Sequence, residues 1–297
     1  MSYLHTITDP HSIITPIENG VTFPEVLDVS CARYKDAIKL FIEPINNSAD
    51  SGDLLRRIRL TTFQAHTRMS LLKLFRRCVS LVCDTEMTKK ITKVLNQTLI
   101  DNYSHTFKPI SKLRQQFDEL TQDKIAALAA LLGEYDTRGQ QGYSLTGLFF
   151  GWFENTLLDF NITGPRGAGR DIELSNIFTD FEYRYPCDFI VKHTASDNLV
   201  AVGFARYDST RGGAQSDDRT GGNSFKVEKA RQYCESTGRL FKLIFVSDGP
   251  GLAHNDTWQQ ACDLDGQWGD RVRVTTLLLA PQRITSEWLL VQEDSLS

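Results

Sequence analysis

A single carboxylate lies inside a strongly apolar segment, and its type and position suit metal-assisted chemistry. The segment covers residues 185–191 and reads YPCDFIV, with Asp188 as its one charged residue. Burying a carboxylate among apolar side chains is costly unless the group has a partner. A hard divalent cation is such a partner, since Mg²⁺ takes one or two carboxylates together with waters and substrate oxygens. Asp188 is therefore predicted to hold a cation for phosphodiester hydrolysis. The alternative is a strand-edge aspartate that caps a turn.

A second strand is predicted over residues 199–208, and it ends in two charged residues, Arg206 and Asp208. Side chains alternate along a strand, so Phe204, Arg206 and Asp208 share one face. Arg206 and Asp208 are therefore expected to be neighbours. Phe204 occupies the position where a second acid would serve a metal site best.

A loop rich in glycine and aspartate follows this strand, then a helix from about residue 224 and an apolar strand over 240–246. The loop contains side-chain types that read base edges in the major groove, namely Arg211, Gln215, Arg219 and Asn223. Its paired glycines would let the backbone approach a ligand closely. The composition predicts DNA recognition, with a surface loop without a binding role as the alternative.

The order of these elements, with Pro186-x-Asp188 and then Phe204-Ala205-Arg206, resembles the PD-(D/E)xK nuclease superfamily and, within it, the type II restriction endonucleases. The resemblance covers about residues 144–246. It implies an α/β fold with a restriction-endonuclease-like core, in which a mixed sheet is flanked by helices. It also implies Mg²⁺-dependent, sequence-specific cleavage of double-stranded DNA. Cutting both strands normally takes two active sites, so a homodimer is expected.

Two positions depart from the superfamily pattern, because its second acid is Phe204 here and its lysine is Arg206. Arginine stabilises negative charge but does not lose a proton to act as a base. The second acid is therefore expected elsewhere, and the ammonium group from Lys226 or Lys229. The predicted catalytic set is Asp188, Arg206, Glu228 and Glu154, and the predicted metal ligands are Asp188, Glu154 and Asp208. For the helix residues 226, 228 and 229, a solvated surface is the alternative.

A glycine-rich segment, residues 164–171, has the spacing of a phosphate-binding P-loop but lacks its chemistry. Arg170 stands in place of the lysine, and Asp171 in place of the hydroxyl residue that binds magnesium. We predict a turn whose arginines, Arg166 and Arg170, face the DNA backbone. A non-catalytic DNA-binding or regulatory protein that retains a nuclease fold is the alternative function, because Phe204 and Arg206 are what a decayed site would contain.

The helical periodicity of residues 29–131 predicts two domains. Residues 1–140 are expected to form a mainly helical region for DNA contact, dimerisation or both, and residues 141–297 the catalytic domain. A helix is predicted over 112–132 with its end at Gly133, and a hinge over 139–142. Residues 54–93 contain ten Lys or Arg against two acids. These charges either contact the phosphates of a nucleic acid or form a solvated helix face.

Composition limits the partners and the cellular location that are expected for the protein. The net charge of −4 does not by itself indicate nucleic-acid binding, and the six cysteines show no paired metal-ligand spacing. No apolar run reaches the length that spans a bilayer, so no membrane partner is expected. The first residues lack the basic and apolar regions of a secretion signal, and we expect a cytoplasmic protein.

Overall fold

The computed structural model describes residues 2–17, 21–167, 169–208 and 215–290, without the side chains of 135, 137–142 and 215–221. The chain forms two compact units, one of residues 20–138 and one of residues 1–19 with 139–297. The first 19 residues, which the sequence grouped with the helical region, therefore belong to the C-terminal unit. The division falls at residues 138–139, within a single helix, Gln122–Thr156, that continues through residues 139–142, where the sequence predicts a hinge.

The helical unit is built on α1 (Glu25–Asn47), which buries Tyr34, Ile38, Phe41 and Ile45 along one face. This spacing of three or four residues is that of an apolar helix stripe. The other helices of the unit are α2 (Ser51–Ile58), α3 (Ala65–Cys78), α4 (Thr85–Thr88), α5 (Asn96–Tyr103), α6 (Ile110–Asp118) and the first part of α7 (Gln122–Thr156), with a 3-10 turn at Ser104–Thr106. No helix in the described ranges is both long and apolar enough to cross a membrane.

The predicted helix over 112–132 is wrong, because two helices meet within it. Thr121 begins the second one: its hydroxyl accepts a hydrogen bond from the Lys124 backbone N–H at 3.4 Å, as an N-cap residue does. That helix, α7, then continues through Gly133 instead of ending there. A Cβ added at Gly133 would lie 2.7 Å from the Ser30 Oγ. The glycine therefore allows α1 to approach α7 closely.

The strands of the C-terminal unit are β1 (Phe160–Thr163), β2 (Ile172–Glu173), β3 (Pro186–Cys187), β4 (Phe189–His193), β5 (Leu199–Tyr207), β6 (Lys242–Asp248), β7 (Gln267–Asp270) and β8 (Val272–Thr275). Five of them form a sheet in the order β1-β4-β5-β6-β8. Strands β1, β4 and β5 pair antiparallel, and β5, β6 and β8 pair parallel. A separate antiparallel pair is formed by β2 and β3.

Helices cover both faces of the sheet, so the C-terminal unit has the mixed α/β architecture that the sequence predicts. One face packs on α8 (Gln215–Thr237) and α9 (Asn255–Leu264). The other face packs on the second half of α7, on α10 (Ala280–Arg283) and on α11 (Ser286–Leu290). Sheets buried on both faces have continuously apolar central strands, as β5 and β6 do. Short 3-10 helices lie at Tyr3–Thr6, Pro10–Ile13, Leu174–Asn176 and Pro250–Ala253.

Close packing inside the sheet explains one glycine of β5. A Cβ at Gly203 would lie 1.9 Å from the Cζ of Phe189 on the adjacent strand. The Phe189 ring covers this position and packs against Phe149 and Phe150 of α7. Only glycine leaves room for the ring, which fixes β4 against β5 beside Asp188.

Residues 2–17 are attached to the end of β6 through the fully buried carboxylate of Asp248. Asp248 Oδ1 accepts hydrogen bonds from the backbone N–H groups of Thr15 (2.9 Å) and Gly249 (2.8 Å). Its Oδ2 accepts from the Thr15 hydroxyl (2.6 Å) and the Leu277 N–H (2.9 Å). One side chain thus joins three segments of the unit.

An Asp248→Ala variant is expected to lose about 3 kcal/mol of unfolding free energy, because it leaves several buried donors without an acceptor. Chemical denaturation followed by circular dichroism measures the change. Asp263→Ala is the matched control, since Asp263 is exposed on α9. A loss below about 1 kcal/mol in Asp248→Ala would contradict the structural role of Asp248.

Candidate active site

Asp188 lies between β3 and β4, with its carboxylate turned toward β5. Its backbone N–H donates to the Gly203 carbonyl at 2.9 Å, and its Oδ2 accepts from the Ala205 N–H at 2.8 Å. No described residue donates a hydrogen bond to Oδ1. The carboxylate is therefore anchored through one oxygen, and the other oxygen is available to a ligand.

Lys226 of α8 is the charged partner of Asp188. Burial lowers the pKa of the Lys226 ammonium, and the charge of Asp188 acts against that shift. Burial likewise raises the pKa of Asp188, opposed by the Ala205 hydrogen bond and by the charge of Lys226. The Lys226 carbonyl accepts a hydrogen bond from the Tyr185 hydroxyl at 3.0 Å. This bond ties α8 to the entry of β3 and so keeps the ammonium near the carboxylate.

Phe204 forms the apolar wall of this site. The Lys226 Nζ lies 3.7 Å from the centre of the Phe204 ring, which is a cation–π distance. The same ring stacks on Phe245 at 5.0 Å and meets the edge of Tyr185 at 5.9 Å. The position that holds an acid in the resembling superfamily is therefore filled by a packed aromatic side chain.

Asp171 is a second carboxylate at the site, although it is not among the metal ligands predicted from the sequence. In the β2–β3 pair Ile172 is opposite Cys187, and Asp171 and Asp188 are the next residues along the two strands. The charge of Asp171 raises the pKa of Asp188 and acts against the lowered pKa of Lys226. Asp171 is exposed. With only two residues, β2 shows no periodicity that could have indicated this pairing.

Cys187, next to Asp188, does not supply a nucleophile. Burial raises the pKa of the Cys187 thiol to about 12, and the nearby Asp188 adds to the shift. The thiol donates to the Ile172 carbonyl at 3.1 Å. Because thiolate is the reactive form of cysteine, Cys187 has a packing role here.

Arg206 and Asp208 are neighbours, as strand alternation predicts, but they pair with each other and not with Asp188. The Arg206 Nε donates to the Asp208 Oδ1 at 2.7 Å. Asp208 is buried, and burial raises its pKa against the effect of Arg206. It lies four residues beyond Phe204, about 13 Å along an extended strand. With Asn223 it lines a separate small cavity of about 50 Å³.

Glu154 is also engaged away from Asp188. It forms an ion pair with Arg166, whose guanidinium carbon lies 5.2 Å from the centre of the Phe150 ring. Arg166 is therefore held on α7 by Glu154 and Phe150. Arg170 is exposed.

Glu228 and Lys229 lie on other faces of α8. Glu228 pairs with Arg231 at 3.1 Å and accepts from the Gln232 amide at 2.7 Å. The Lys229 Nζ lies 3.9 Å from the centre of the Tyr183 ring. The carboxylates predicted to share a metal, Asp188, Glu154 and Asp208, are thus not brought together. Within the described ranges, no group of three or more His, Cys, Asp or Glu side chains could hold a metal ion.

The residues predicted to read DNA lie mostly beyond what the structure describes. Arg211 is outside the described residues. Gln215 and Arg219 belong to α8, but their side chains are outside the described set. This helix begins at Gln215, earlier than predicted.

Comparisons with protein-family models, with curated proteins and with solved structures found no match to this chain. The function of the chain is therefore inferred from the residues around Asp188 alone.

Proposed function

We propose that the chain is a Mg²⁺-dependent, site-specific endonuclease for double-stranded DNA with a restriction-endonuclease-like core. The observation that carries the proposal is the anchored carboxylate of Asp188 beside the half-buried ammonium of Lys226, on the edge of a β-hairpin. A carboxylate and an amine whose pKa values are displaced by burial, each near a group of opposite charge, are typical of functional sites. A restriction-type enzyme would act as a homodimer, one site for each strand.

The oxygen donors at the site fit a magnesium ion. Asp188 Oδ1 has no hydrogen-bond donor among the described residues, and the charge of the exposed Asp171 acts on Asp188. Two carboxylates satisfy a cation that otherwise keeps waters and substrate oxygens. When bound, the cation would polarise the phosphate and lower the pKa of an attacking water. Asp188 and Asp171 would be its protein ligands.

Lys226 replaces Arg206 in the proposed catalytic set. Its ammonium is held against the Phe204 ring, a fixed position from which it would stabilise negative charge developing on the phosphate. Arg206 is engaged with the buried carboxylate of Asp208 instead. The second acid is proposed to be Asp171, in place of Asp208, Glu228 or Glu154.

An Asp171→Asn variant is expected to need about 10-fold more Mg²⁺ for half-maximal cleavage, because a neutral amide is a weaker ligand than a carboxylate. Cleavage rates measured across a Mg²⁺ titration test this. Glu173→Gln is the matched control, since Glu173 lies two residues away and accepts from the Tyr185 N–H at 3.1 Å. An unchanged Mg²⁺ dependence in Asp171→Asn would remove Asp171 from the metal site.

A second candidate function is DNA binding without cleavage. Phe204 favours it, since the packed ring stands where the superfamily has an acid. Under this alternative, Asp188 and Lys226 would be remnants of a former active site, and specific DNA complexes would form without divalent cations.

Digestion of a mapped phage DNA, followed by sequencing of the fragment ends, distinguishes the two functions. We expect defined ends in Mg²⁺ and none in EDTA. Intact DNA in both Mg²⁺ and Mn²⁺, together with metal-independent sequence-specific gel shifts, would reject cleavage in favour of the binding protein.

A further inference from the structure

The basic run of residues 54–93 is partly structural. Lys73 bridges the Tyr34 hydroxyl (2.7 Å) and Asp136 (2.5 Å), and Arg57 pairs with Asp53 at 3.0 Å. Other cations of the run are also engaged: Arg68 donates to the carbonyls of Leu60 and Phe63, Arg77 pairs with Glu134, and Lys89 pairs with Glu86. These residues stabilise the helical unit, so the excess charge overstates what is available to a ligand.

Arg59 holds the loop between α4 and α5 from inside. Its side chain is buried, and its Nε donates to the Thr88 carbonyl at 2.8 Å. Its two terminal nitrogens donate to the Asn96 side-chain oxygen (2.5 Å) and the Val94 carbonyl (2.7 Å). The planar guanidinium thus fixes both ends of the loop that covers residues 89–95.

The clamped loop presents lysines to solvent. The Lys90 carbonyl accepts hydrogen bonds from the N–H groups of Lys93 (3.1 Å) and Val94 (2.9 Å). Such a turn brings the Cα atoms of its first and fourth residues within about 7 Å. Lys90 and Lys93 are exposed, and no described carboxylate pairs with either. Two uncompensated charges therefore lie side by side on a rigid loop.

We propose that this lysine loop, residues 89–95, binds the phosphate backbone of duplex DNA. Duplex DNA has one negative charge per about 1.7 Å of its axis, so two neighbouring ammonium groups meet phosphates in any register. Backbone contacts position a protein without reading sequence, and a loop whose ends are fixed loses little entropy on binding. The choice of DNA as the partner rests on the proposed function. The loop itself belongs to the helical unit and contains none of the catalytic residues.

The test measures DNA affinity in the Asp188→Asn background, where cleavage does not interfere. Fluorescence anisotropy with a duplex of arbitrary sequence between 50 and 200 mM salt gives the dependence of log K on log salt. We expect Lys90→Gln with Lys93→Gln to reduce that slope by about 2, near 1 for each phosphate contact. Affinity at 50 mM salt should fall at least about 10-fold.

The matched control is Lys35→Gln with Lys112→Gln, which removes two exposed lysines from α1 and α6 of the same unit. An unchanged slope in the loop variant, or an equal loss in the control pair, would overturn the proposal. Loop-dependent binding to anionic lipid vesicles but not to duplex DNA would overturn it as well. If the wild-type chain binds DNA through the loop yet cleaves none, the proposed nuclease function fails and the loop assignment stands.

Discussion

An Asp188→Asn variant is expected to cleave duplex DNA at least about 10³-fold more slowly than the wild-type chain in Mg²⁺. A catalytic metal ion contributes several kcal/mol to transition-state stabilisation, and each 1.36 kcal/mol changes a rate about tenfold. Asparagine keeps an oxygen that can accept the Ala205 N–H but removes the charge that would hold the cation. The fold should therefore survive while the chemistry is lost. Single-turnover cleavage rates measure the effect.

Glu228→Gln is the control for this variant. Glu228 pairs with Arg231 on the same helix, so its loss should change the rate by less than about twofold, since exposed pairs contribute little. A variant at Asp188 that cuts at the wild-type rate would show that cleavage takes place elsewhere in the protein. A large loss in Glu228→Gln would restore Glu228 as the second acid.

Lys226→Met is expected to lower the single-turnover rate by about 10²- to 10³-fold, the usual effect of removing one group that stabilises a developing oxyanion. Methionine retains the apolar contact with Phe204 and removes the charge. Lys229→Met is the control, because the Lys229 ammonium lies over Tyr183 instead. Equal rates for the Lys226 variant and the wild-type chain would exclude Lys226 from catalysis.

The pH profile provides an independent test of Lys226. Burial lowers the pKa of its ammonium from the ordinary value of 10.5. Because the protonated form is the one that stabilises negative charge, activity should begin to fall at a pH below 10.5. In Lys226→Arg this alkaline limb should disappear, since guanidinium stays charged. An alkaline limb that is unchanged in Lys226→Arg would assign it to another group.

How far the sequence predicts this site can be argued from α8. Lys226 and Glu228 are two residues apart, a rotation of about 200° on a helix, so only one of them can face the sheet. The helical period alone therefore argues against the predicted combination of Glu228 with Lys226 in one site. Which of the two faces inward depends on the Phe204 ring beneath the ammonium and on the bond from Tyr185 to α8. Both are long-range contacts.

The strands show the same limit. Asp188 and the alternation along β5 follow from local pattern, and so does the neighbouring pair of Arg206 and Asp208. Asp171 does not, because its approach to Asp188 comes from a two-residue strand pairing across a long connection. The expected second acids follow from strand alternation and from the resemblance, and neither accounts for the ion pairs that these side chains form in the fold. In the fold, each of these acids forms an ion pair with an arginine that lies close to it.

Parallel digestion of one mapped duplex DNA, followed by sequencing of the fragment ends, tests most directly whether cleavage depends on Asp188 and Lys226. The wild-type chain is compared with the Asp188→Asn, Lys226→Met and Glu228→Gln variants. A nuclease site at Asp188 and Lys226 predicts the same defined ends from the wild-type chain and Glu228→Gln in Mg²⁺, and none in EDTA. It predicts no detectable ends from Asp188→Asn and only slow formation from Lys226→Met. Intact DNA with the wild-type chain in both Mg²⁺ and Mn²⁺, or identical digestion by Asp188→Asn, would contradict it.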